Sequence, residues 1–116
     1  MTETIHDRIG ALVASTPVVL FMKGTPMFPQ CGFSSTAVAI LDKLGVDLDG
    51  DTFQGVDVLA DPAIRQGVKE FSDWPTVPQL YIGGEFVGGS DIMMEMYQAG
   101  ELTELLAKAG IASTAA

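Results

Sequence analysis

Cysteine is almost absent: Cys31 stands alone in a chain of 116 residues. It cannot form an internal disulfide, which excludes a secreted, disulfide-stapled scaffold. Positive charge is scarce as well. Six Lys and Arg stand against 15 Asp and Glu, giving a net charge of −9 and a pI near 4.2. Such a chain is poorly matched to phosphate backbones or anionic lipids, so neither nucleic acid nor membrane is an expected partner. The acidity reads as a solubility device. No apolar run approaches the ~18 residues of a membrane helix. The stretch from Met1 to Arg8 has neither a basic-then-apolar signal nor an Arg-rich, acid-poor transit pattern, and a cytoplasmic location is the expectation. The one histidine, His6, sits near the terminus and attracts no role.

What is present suffices for one packed domain, with 47% hydrophobic and 18% charged residues. Ile5, Ile9, Leu12 and Val13 recur at helical spacing. Val18 to Met22 is an unbroken β-branched and aromatic run, expected as a strand buried on both faces. Two prolines and a glycine keep Lys23 to Gln30 a loop. A helix is expected from about Cys31, with Phe33, Ala37, Ile40, Leu41 and Leu44 on its buried face and Gly45 ending it. Phe53 to Leu59 reads as a strand weakened by Gly55. Asp61-Pro62 starts a further helix whose inner face carries Ile64, Val68 and Phe71. Gln79 to Ile82 and Glu85 to Val87 form a hairpin through Gly83-Gly84. Ser90 or Asp91 then caps a helix through Tyr97, in which Met93, Met94 and Met96 read as packing residues. Gly100 breaks that helix, and a last one runs to Gly110. A tail from 111 to 116 is expected to fray. Strand, helix and strand make a right-handed βαβ unit, and the whole order suits an α/β, thioredoxin-like fold: a mixed four-stranded sheet flanked by helices.

Chemistry concentrates at Cys31. A thiol where a loop enters a helix meets free N–H groups and the positive end of the dipole, both of which favour a thiolate. Lys23 can add positive charge. Cys31-Gly32-Phe33-Ser34 occupies the place of a Cys-x-x-Cys motif, with serine for the second cysteine. The resolving thiol is missing, so any disulfide must involve another molecule.

Four pieces in this order, Lys23-Gly24-Thr25-Pro26, Cys31 to Ser34, Trp74 to Gln79 and Gly88-Gly89-Ser90-Asp91, resemble the monothiol glutaredoxins of the Cys-Gly-Phe-Ser type. The resemblance spans nearly the whole chain and implies a glutaredoxin domain over 1–110. It also implies a glutathione site. Lys23 and Arg65 would meet the glycine carboxylate. Val77, before a cis-proline at Pro78, would pair through its backbone. Ser90 and Asp91 would hold the γ-glutamyl end, and Cys31 is the catalytic thiol. Each also has a plain reading: a solvated lysine, a helix-surface arginine, a trans-proline opening a strand, helix caps. Many family members have cysteine where Ser90 stands. Trp74 reads equally as core or as partner surface.

Family members bind a 2Fe-2S cluster. Such a cluster usually takes four ligands, commonly thiolates. One chain supplies only Cys31, so two chains and two glutathione thiols form a natural set. The resemblance therefore implies a cluster-bound homodimer that delivers its cluster to apo iron–sulfur proteins, with glutathione as cofactor and a BolA-like protein as a further partner. The alternative is an oxidoreductase that reduces glutathione mixed disulfides through Cys31 alone. By the same resemblance, the Gly24 to Gln30 loop favours the carrier over the enzyme.

Overall fold

The computed structural model describes residues 3–111. Its elements are α1 (Ile5–Ser15), β1 (Val18–Met22), α2 (Gly32–Lys43), β2 (Phe53–Asp57), α3 (Pro62–Ser72), β3 (Gln79–Ile82), β4 (Glu85–Gly88), α4 (Ser90–Ala99) and α5 (Glu101–Lys108). The sheet order is β2-β1-β3-β4, with β1 parallel to β2 and antiparallel to β3, and β3 antiparallel to β4. This is the expected thioredoxin-like, mixed four-stranded sheet.

Strand β1 is central, and all five of its residues are buried. The period-two alternation of a strand divides them between two cores. Val18, Leu20 and Met22 join residues of α2, α4 and α5, while Val19 and Phe21 join residues of α1 and α3. No helix among the described residues is long and apolar enough to cross a membrane.

Local signals start the helices. Thr4 and Asp7 make a reciprocal capping box at α1, with Asp7 N–H donating to Thr4 Oγ1 at 3.0 Å and Thr4 N–H to Asp7 Oδ2 at 3.2 Å. Asp61 caps α3 by accepting from the N–H groups of Ala63 and Ile64, with Pro62 following. Those bonds, led by the one from Ile64, hold the Asp61 carboxyl below its ordinary pKa, and Arg8 at 3.2 Å adds to the effect.

Four expectations need correcting. Phe33 is not on the buried face of α2 but 62% exposed. Burial in the first turn passes instead to Ser34, whose hydroxyl takes the Lys23 N–H. Strand β2 stops at Asp57 rather than Leu59, because Asp57 Oδ1 accepts the Leu59 N–H at 2.9 Å and turns the chain. Helix α4 is capped by Gly89, with no side-chain capping bond from Ser90 or Asp91. Ile111, expected to begin a frayed tail, is buried in the core and donates its N–H to the Leu106 carbonyl at 2.9 Å. The rest of that tail, 112–116, lies outside the described residues.

Candidate functional site

A cleft of about 430 Å³ opens beside the start of α2. Lys23, Cys31, Arg65, Val77, Ser90 and Asp91 all line it. They come from five separate stretches of chain, and the fold alone brings them to one place.

The thiol occupies the Ncap position of α2, with extended backbone at φ −152° and ψ 139°. It is half-buried. Its pKa is pulled below the ordinary cysteine value chiefly by the Ser34 backbone N–H. Burial opposes this, while the Phe33 N–H, the Lys23 charge and the Ser34 hydroxyl assist it. The helix start thus favours the thiolate, which is the nucleophilic and metal-binding form.

Residues between β1 and α2 form a closed loop. Thr25 and Phe28 exchange backbone hydrogen bonds of 3.3 and 3.0 Å, Gly24 and Pro29 form a β-bridge, and the Gln30 N–H donates to the Lys23 carbonyl at 2.8 Å. Gly24 adopts φ +89°, and a Cβ there would lie 2.5 Å from the Phe28 carbonyl oxygen. No other residue fits that corner. Gly55 has a comparable reason: a Cβ would meet Pro26 Cγ at 2.7 Å, so the glycine in β2 admits the loop rather than merely weakening a strand. The loop tip is apolar and open, with Met27 at 72% and Phe28 at 70% exposure.

Charge in the cleft opposes the charge of the chain. Lys23, Arg65 and Lys69, three of its six Lys and Arg, line the cleft, and among the described residues Asp91 is the one acidic residue lining it. Lys69 escaped the sequence reading. The available signal was its i+4 spacing from Arg65, which puts both on one face of α3. On the far side the Val77–Pro78 peptide bond is cis. Trp74 is half-buried, its ring 5.9 Å from that of Phe86, and it lines the cleft. It is therefore packed and part of the site wall at once. The N-terminus of α4 closes the site. With no side-chain cap there, its first N–H groups remain open to an anion.

Two buried side chains brace these walls. Ser34 accepts from the Lys23 N–H at 3.0 Å. Gln79, fully buried, donates from Nε2 to the carbonyls of Trp74 and Thr76 at 3.1 and 3.0 Å. Among the described residues no group of three or more His, Cys, Asp and Glu side chains could hold a metal ion.

Comparison with known proteins identifies the family and the fold. Residues 18–87 match the glutaredoxin family model. An uncharacterised monothiol glutaredoxin of Synechocystis is 58% identical over 106 residues, covering 91% of this chain and 94% of that protein. The solution structure of reduced, apo poplar GrxS14 is 50% identical, with a TM-score of 0.76 over 94% of this chain and 95% of that one. A buckwheat glutaredoxin solved as its glutathione complex is 28% identical, with a TM-score of 0.78 over 91% of this chain and 90% of that one. By sequence and by fold, the chain belongs to the glutaredoxin family, in its monothiol branch.

Proposed function

We propose that the protein binds glutathione in this cleft and carries a 2Fe-2S cluster between two copies of itself. The observation that carries the reading is one thiol, its pKa lowered by the helix start, at a cleft with three cations and no second cysteine. Lys23 and Arg65 suit the glycine carboxylate of glutathione, and Lys69 strengthens that end. Open N–H groups at the start of α4 suit the γ-glutamyl carboxylate, with Asp91 for its amine. Val77 supplies backbone pairing between them. A buckwheat glutaredoxin solved as its glutathione complex supports glutathione as the ligand.

The cluster is cargo. Each chain contributes Cys31 and one bound glutathione, so two chains make up four thiolates. The recipients are apo iron–sulfur proteins, and a BolA-like partner can replace one copy by offering a histidine. Anaerobic reconstitution with iron and sulfide tests the reading. A visible cluster spectrum should develop with glutathione and not without it. Equal yield without glutathione would sink the proposal.

A second reading has support from the lowered thiol pKa. The Cys31 thiolate attacks the glutathionyl sulfur of a mixed disulfide, the target leaves as thiolate, and free glutathione then releases Cys31 and forms glutathione disulfide. Turnover of a glutathionylated peptide comparable to that of a dithiol glutaredoxin would make this the main activity.

A further inference from the structure

Of the three cations lining the cleft, Arg65 and Lys69 stand on α3, whereas Lys23 stands on a loop. An ammonium on a flexible stem keeps a fixed place only if the backbone beneath it is fixed. Here that backbone is held from two other elements. The Lys23 N–H donates to Ser34 Oγ of α2 at 3.0 Å. The next N–H, from Gly24, donates to Asp57 Oδ1 at the end of β2 at 2.9 Å. Both acceptors are themselves constrained. Ser34 is fully buried, one of three buried polar side chains among the described residues. Asp57 Oδ1 also accepts the Leu59 N–H at 2.9 Å, which fixes the carboxylate against its own strand end.

We infer that Ser34 and Asp57 are positioning residues for the glutathione site, a two-point anchor that sets Lys23 where it meets a ligand carboxylate. The inference rests on the glutathione reading above. It gives Ser34 a task beyond the absence of a thiol. It also explains a carboxylate beside a site for an anion. By charge alone, Asp57 should weaken the binding of an anionic tripeptide. As an anchor it should strengthen it, so the two accounts differ in sign.

Isothermal titration of the full chain with reduced glutathione tests this. The proteins are wild type, K23A, S34A, D57A and D57N, with S34A and D57A also made on the K23A background. K23A should bind about tenfold more weakly, and S34A and D57A each about three- to tenfold more weakly. D57N should stay within about twofold of wild type, because its amide oxygen can keep both N–H bonds. On the K23A background S34A and D57A should each add less than about twofold, since no ammonium is left to misplace.

D57A binding as tightly as wild type, or more tightly, would overturn the anchor in favour of charge. So would D57A and D57N behaving alike, or effects that add in full on the K23A background. Should S34A fail to fold, the D57A and D57N pair decides alone. Wild type showing no binding would bring down the glutathione reading itself. Wild type binding, with K23A weakened and D57A unmoved, would bring down the anchor only.

Discussion

The β1–α2 loop and the α3–β3 loop both line the cleft, yet they are held by opposite means. The first, which carries Lys23 and leads into Cys31, is pinned from a distance. Its partners, Ser34 and Asp57, lie 11 and 33 residues from the atoms they bind. The second, which carries Trp74 to Pro78, is pinned from close by. Gln79 reaches back three and five residues to its carbonyls, and the Trp74 N–H donates to the Lys69 carbonyl at 3.1 Å. The thiol side therefore depends on the packing of α2 and β2 against β1, while the Val77 side is a local unit. The side that carries the thiol is tied to the whole fold, and the side that carries the cis-proline step has its own brace.

Removing the reactive atom should break that division most severely. Cys31→Ser should abolish cluster binding and thiol exchange, because no other cysteine exists in the chain. Glutathione binding should persist, since the cations and the Val77 wall remain. Reconstitution spectra and a glutathione titration on the same sample check both halves of that expectation.

Gln79→Met attacks the other loop. It keeps the volume and removes both donors, leaving two carbonyls without their partner. A loss of about 1–3 kcal/mol in stability is expected by denaturant unfolding. Glutathione should bind more weakly while the alkylation midpoint of Cys31 stays in place, because the brace acts on Val77 and not on the thiol. A shift of that midpoint equal to the one in Lys23→Ala would show the two loops to be a single unit.

The smallest expected effect concerns pH. Alkylation by iodoacetamide follows the thiolate. With the Cys31 pKa lowered, its rate should rise through a midpoint below that of an unstructured cysteine peptide. The Ser34 N–H is the largest single cause of this and the Lys23 charge a smaller one. Lys23→Ala should therefore move the midpoint upward by a small amount without restoring the peptide value. A downward shift would contradict the sign of the Lys23 contribution.

The sequence revealed what depends on runs and spacing. Val18 to Met22 reads as a strand buried on both faces, and Asp61-Pro62 as a helix start, and both are so in the structure. A lone cysteine between a proline-rich loop and a helix announced its own chemistry. What stayed hidden depends on three-dimensional choices between similar neighbours. Phe33 and Ser34 both stand in the first turn of α2, and hydropathy assigns the inner place to phenylalanine. The structure gives it to serine, because the Lys23 N–H requires an acceptor there. Ser90 looked like a cap, yet Gly89 fills that position and leaves the helix start open. Asp57 looked like an ordinary strand residue, since nothing local marks a bond to Gly24 at a separation of 33 residues.

The most direct test of the central claim is native mass spectrometry of the reconstituted protein. One thiol per chain should give a dimer carrying one 2Fe-2S cluster and two glutathione molecules, with the cluster-free protein tending toward monomer. A cluster retained on a monomer with no glutathione bound would contradict it.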